Sequence, residues 1–132
     1  MEQLELQKEV LADLDLLEAT KMSYYQFTQN NSGGEYKGPF IVIIEANDVE
    51  DADYFAIKKT NECVYFGGVS KGLDCGCCGN RWDRASDYSK LEAIDLESIE
   101  TEIRDQYSDK YWRGKEIEVY TKDAKTPFKF IL

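Results

Sequence analysis

Hydrophobic and polar positions divide the chain into a few periodic segments separated by stretches with no period. Residues 2–20 repeat apolar side chains at helical spacing, with Leu4, Val10, Leu11, Leu14 and Leu17 on a stripe and acidic residues mostly elsewhere. This predicts an amphipathic helix whose leucines pack on the rest of the domain. "NNSGGEYKGP" from Asn30 is a loop by composition, so the chain divides into a helical arm over 1–29 and a compact domain over 38–132. "FIVIIEA" from Phe40 is apolar on both faces and reads as a central strand. The next segment opens on Asn47 or Asp48 as a cap, carries Glu50 and Asp51 in its first turn and closes on Lys58 and Lys59. Its charges therefore suit a helix dipole at both ends.

"CVYF", Cys63 to Phe66, reads as a second strand ending at Gly67-Gly68. A glycine-punctuated excursion without period follows. A helix returns from about Asp95 to Gln106, with Asp95 as its cap and Leu96, Ile99 and Ile103 on one stripe. The last segment, from Lys115, alternates across a turn at 122–125 and predicts a hairpin, with Pro127 favouring an edge position. The expected fold class is α+β: a small, mainly antiparallel sheet of three to five strands, two or three helices on one face, and a long Cys/Gly-rich loop.

Charge and composition narrow the chemistry. Sixteen basic against 26 acidic residues leave a formal net charge of −10, which disfavours generic nucleic-acid binding. No histidine is present, so His-based triads, proton shuttles and metal ligands are excluded, and a non-enzymatic role is expected. No apolar run reaches membrane-spanning length, and the N-terminus is acidic and amphipathic rather than signal-like. Cytoplasmic residence is the expectation, and there cysteines serve more often as thiols, metal ligands or redox groups than as bridges.

The candidate chemistry gathers in "DCGCCGNRWDR", Asp74 to Arg84. Cys75 and Cys78 have the spacing of one zinc knuckle, Cys63 offers a third thiolate, and Cys77, Asp74 or Asp83 offers the fourth ligand; no second knuckle is present. Zinc is the one cofactor this pattern points to. A dithiol redox role fits less well, because no helix follows the motif. The plainer reading makes the cysteines small packing residues that hold a glycine-rich bend in one pose. That bend presents Arg81, Trp82 and Arg84, with Lys71, Tyr65 and Tyr88 near in sequence. Arginines offer forks for phosphate or carboxylate, and aromatic rings offer stacking faces. The competing arrangement, commoner for such residues, has Arg81 bonded to an internal carboxylate and Trp82 filling core. Gly67 to Gly72 imitates a phosphate-loop frame. Leu73-Asp74 stands where Lys-Ser/Thr is required, leaving only backbone amides to meet an anion.

"VYFGGVSKGLDCGCCGNRWDR" resembles a segment of small proteins from tailed bacteriophages that share an aromatic pair, a glycine-containing spacer and "DCxCCGxRW" after an acidic helix. The resemblance covers about residues 47–84 and implies a phage or prophage origin and expression in bacterial cytoplasm; it implies no activity. By analogy it points to a counter-defence accessory protein, and three readings follow. The first sequesters a small anionic, nucleotide-like ligand through Arg81, Trp82, Arg84, Lys71, Tyr65 and Tyr88, with a homodimer as the default assembly. The second is an acidic inhibitor or nucleic-acid mimic acting on a host protein. The third is a zinc-stabilised structural or regulatory domain.

Overall fold

The computed structural model describes residues 22–30, 38–74, 76 and 79–132. The helix expected over 2–20 lies outside those residues, as do Cys75, Cys77 and Cys78. Among the described residues no helix is long and apolar enough to cross a membrane.

Among the described residues four strands form one mixed sheet in the order β1 (Ser23–Thr28), β2 (Ile41–Ala46), β3 (Glu116–Tyr120), β4 (Phe128–Ile131). β1 runs antiparallel to β2, β2 parallel to β3, and β3 antiparallel to β4. The expected α+β class with a small, mainly antiparallel sheet is therefore observed. β2 is its centre because its sequence has no polar face: Ile41, Val42, Ile43, Ile44 and Ala46 are all fully buried. Each such isoleucine or valine contributes roughly 1.5–3 kcal/mol of burial. β4 is the free edge that Pro127 favours, and Lys129 on it pairs with Glu116 and Glu118 of β3.

Helix α1 (Val49–Lys59) follows β2 and helix α2 (Leu96–Gln106) precedes β3. Both starts follow the capping chemistry of the sequence. The Asp48 carboxylate accepts from the Asp51 amide at 2.8 Å, and the Asp95 carboxylate accepts from the Ser98 amide at 2.8 Å. At the far end of α1, the Lys59 ammonium donates to the Thr121 carbonyl at 2.7 Å and ties the helix to the β3–β4 turn.

Three expectations require correction. The helices do not share a face. Ile41 and Ile43 of β2 pack with Ile99 and Ile103 of α2, whereas Val42, Ile44 and Ala46 pack with Ala52 and Ala56 of α1. Alternate residues of a strand point to opposite faces, so the chain must cross from one face to the other between the helices. Secondly, residues 23–28, placed in the N-terminal arm, form strand β1, so the compact unit begins well before residue 38. Thirdly, Cys63 to Phe66 is not a strand. Val64 and Phe66 are buried in the α1-side core, yet the Val64 amide donates to the Thr60 hydroxyl at 3.0 Å instead of to a neighbouring strand. Burial alternates there without strand pairing.

Candidate functional site

The excursion after Phe66 is organised around Asp74, whose side chain is only 4% exposed. The Tyr65 hydroxyl donates to Asp74 Oδ1 at 2.5 Å, and the Arg81 amide donates to Oδ2 at 2.8 Å. Arg81 Nε lies 3.7 Å from Oδ1. Burial, then the bond to Asp74, pushes the Tyr65 hydroxyl above its ordinary pKa. Gly68 is required beneath this hub, because a Cβ there would collide with the Asp74 carboxylate.

Those contacts overturn several site assignments. Trp82 is 1% exposed and lies in the core with Val64 and Phe66, so it has no face to offer a ligand. The Arg81 guanidinium is directed at Asp74 and is not free for an incoming anion. Five amides of the 67–74 turn are also spent internally. Val69 donates to Asn80 Oδ1, Lys71 to the Gly67 carbonyl, Gly72 to that of Val69, and Leu73 and Asp74 both to that of Gly68. Those five amides are therefore not available to an anion in the way the glycine frame allows. Lys71 is exposed on the turn and lines none of the described clefts.

Of the four cysteines only Cys63 is described. It is half-buried and free, and Gly38 backs it so closely that a Cβ would come within 2.7 Å of its sulfur. Burial, then the Glu118 carboxylate, pushes the thiol pKa up and favours the protonated, unreactive form. Among the described residues no cluster of three or more ligating side chains could hold a metal ion. The four-cysteine zinc set falls mostly outside the described residues.

The six proposed ligand residues separate into different surroundings. Tyr65 and Arg81 line a 330 Å³ cleft with Cys63, Glu62 and Leu73. Arg84 and Tyr88 line a second, of 340 Å³, together with Lys90, Asp83 and Glu102. Neither is a cationic pocket: Arg81 is matched by Asp74 and shares its cleft with Glu62, and the second cleft carries two cations and two carboxylates.

The second cleft borders a feature with no periodicity to announce it. Residues 83–97 carry the chain from the α1 face to the α2 face around the outer edge of β1, and each part of this crossover is fastened. Asp53 of α1 accepts from the Ala85 amide at 2.7 Å and lies 3.7 Å from the Arg84 guanidinium, which stacks over Phe66. Burial pushes the Asp53 carboxyl pKa up, while the Ala85 amide and Arg84 partly offset that rise. Ser89 donates its amide to the Ser86 carbonyl, and its hydroxyl accepts from the Ser86 amide, both at 3.0 Å, closing a single 3-10 turn. Lys90 pairs with Tyr25 as an isolated β-bridge, and the Leu91 amide donates to the Tyr24 carbonyl at 2.7 Å. Glu102 of α2 accepts from the amides of Glu92 and Ala93 at 3.1 Å.

What this fixed ledge presents is a ring among carboxylates. Tyr88 is 100% exposed at the apex of the 3-10 turn. Asp83, Asp87, Glu92, Asp95 and Glu97 are all exposed along the segment, against Arg84 and Lys90 as its cations. Tyr88 was legible as a candidate; its setting was not.

Over the described residues the architecture is a small α+β domain with a mixed four-stranded sheet and one helix on each face. Residues 22–128 match the model of a family described as a domain of unknown function (DUF7296), and the chain belongs to that family. No curated protein and no solved structure matches the chain.

Proposed function

We propose that this protein is a non-enzymatic, acidic binding module that docks a basic surface of another protein through the 83–97 ledge. The observation carrying the proposal is Tyr88, a fully exposed aromatic ring on a hydrogen-bonded 3-10 turn, flanked by exposed carboxylates. A rigid tyrosine gives a partner contact area at little cost in conformational entropy, which is why such residues recur as interface anchors. The surrounding carboxylates and the net charge of −10 would steer a basic partner and set the salt dependence of association. The resemblance of residues 47–84 to tailed-phage proteins supports a bacterial host protein, in the cytoplasm, as that partner.

The small-ligand reading receives less support, because each described cleft balances its cations with carboxylates and the indole expected to stack is in the core.

The test is affinity capture from bacterial lysate, identification of the captured protein, and titration of that protein against variants. Binding should weaken steeply between low and high salt. Tyr88→Ala should weaken it at least tenfold, about 1.4 kcal/mol, with the fold unchanged. Binding indifferent to both salt and Tyr88→Ala would overturn the proposal. A thermal shift with nucleotides, and no protein partner, would transfer support to the small-ligand reading.

A further inference from the structure

The 83–97 ledge has a counterpart of opposite charge between α2 and β3, where Lys110, Tyr111, Trp112, Arg113, Gly114 and Lys115 follow one another. The Asp109 carboxylate accepts from the Tyr111 amide at 2.9 Å and opens a 3-10 turn over Lys110–Trp112. Trp112 anchors that turn on the α2-side core: its ring stacks on Phe40 at 5.0 Å and meets Tyr107 edge-on at 5.2 Å. Gly114, at a φ of 84°, then donates its amide to the Leu132 carbonyl at 2.8 Å. The turn so held leaves Tyr111 72% exposed, and Lys110 and Arg113 are exposed with it. Neither cation is in an ion pair among the described residues. Of the neighbouring carboxylates, Asp109 is the cap, Glu116 lies 3.8 Å from the Lys129 ammonium, and Asp105 is exposed.

We infer that this turn docks on the ledge of a second copy of the chain, with Lys110 and Arg113 against the exposed carboxylates Asp83 and Asp87 and the Tyr111 ring beside Tyr88. The inference rests on the reading of the ledge as a docking site for a basic protein surface, and it names one such surface. Charge complementarity selects the occupant. Each side is a single 3-10 turn with an exposed tyrosine, one flanked by cations and the other by carboxylates. Among the described residues no ion pair or ring contact joins Lys110, Tyr111 or Arg113 to the ledge of its own chain. At an ionic strength of about 0.15 M, charges farther apart than roughly 8 Å are largely screened, so the local cations count for more than the net charge of −10. Because the two surfaces differ, one contact leaves a turn and a ledge over, which either pair with each other in a closed dimer or take a third copy. A ledge covered in this way is closed to any other basic partner, so self-association sets how much of it is open.

Sedimentation equilibrium of the full chain is the direct test. Two turns and their flanks make a small interface, so a Kd of about 100 µM is expected, with the average mass rising between roughly 10 µM and 1 mM. Lys110→Ala/Arg113→Ala removes the cations of the turn, and Asp83→Ala/Asp87→Ala removes the facing carboxylates of the ledge. Each double variant alone should associate at least about tenfold more weakly. An equimolar mixture of the two should recover association and stop at a dimer, because it holds one intact turn and one intact ledge. A native chain that stays monomeric throughout, association that either variant retains, or a mixture no more associated than its components would overturn the inference. Failure here is separable from failure of the partner proposal. The Lys110→Ala/Arg113→Ala variant keeps its ledge and should still bind a captured host protein, so host binding by a strictly monomeric chain removes this inference and leaves that proposal standing.

Discussion

At the scale of single residues, Asp74 decides what its neighbourhood does. Its carboxylate gathers the Tyr65 hydroxyl, the Arg81 amide and the Arg81 guanidinium inside a glycine-rich turn. Asp74→Ala would leave those donors without their acceptor, and the loss in unfolding free energy is expected to be about 3 kcal/mol by urea denaturation. Asp74→Asn keeps an acceptor oxygen and should lose less. A variant as stable as the native protein would show that the hub is incidental. Trp82 beside it is valued for bulk, since its buried indole Nε1 has no hydrogen-bond partner among the described residues. A stacking role for Trp82 and a free anion fork on Arg81 were readable alternatives in the sequence. Residue type alone does not state which way a side chain turns, and here a carboxylate seven positions upstream turned Arg81 inward.

At the scale of elements, the helices were legible because their ends are written in local chemistry. Asp48 and Asp95 stand where a cap is needed, and each accepts from the amide three residues on. Asp48→Ala should lower stability by about 1 kcal/mol in denaturant titration, with Asp48→Ser retaining most of it. Hydrogen bonds from the Ser98 amide and hydroxyl hold the Asp95 carboxyl below its ordinary pKa. The support it lends α2 is therefore present above the usual carboxylate range and fades as pH falls through the lowered value. Strands were less legible. In "CVYF" Val64 and Phe66 are buried while Cys63 and Tyr65 are half-buried, the burial pattern of a strand. The segment lies on the α1-side core rather than in the sheet, so burial occurs there without pairing. β1 was missed for the opposite reason. Its buried positions, Tyr24, Tyr25 and Phe27, face both sides of the sheet, and its aromatic and polar composition resembles a half-exposed linker.

At the scale of the whole molecule, two tyrosines report on integrity at high pH. Burial, followed by the nearby Glu45 carboxylate, pushes the Tyr24 hydroxyl up from 10.0 to about 12. Burial and the bond to Glu118 raise Tyr120 still further. Both hydroxyls stay protonated in the folded protein at pH values where the unfolded chain ionises. Stability is thus whole below pH 10 and declines as pH rises towards the folded values, by up to about 1.4 kcal/mol per pH unit for each tyrosine. Denaturant midpoints measured from pH 8 to 11.5 should show this decline, and Tyr24→Phe should remove part of the slope. A flat profile would mean that both rings are wetter than their packing implies.

The sequence by itself determined the central strand, both helices and their caps, the closing hairpin and the exclusion of histidine chemistry. Each of these follows from contacts within a few residues or from a residue type being absent. Tertiary structure alone decided that the helices lie on opposite faces, that β2 and β3 run parallel, and that the crossover between them skirts β1 as a ledge with Tyr88 at its apex. Those features depend on which distant surfaces meet, and a period along the chain states only that a side chain is to be buried, never against what.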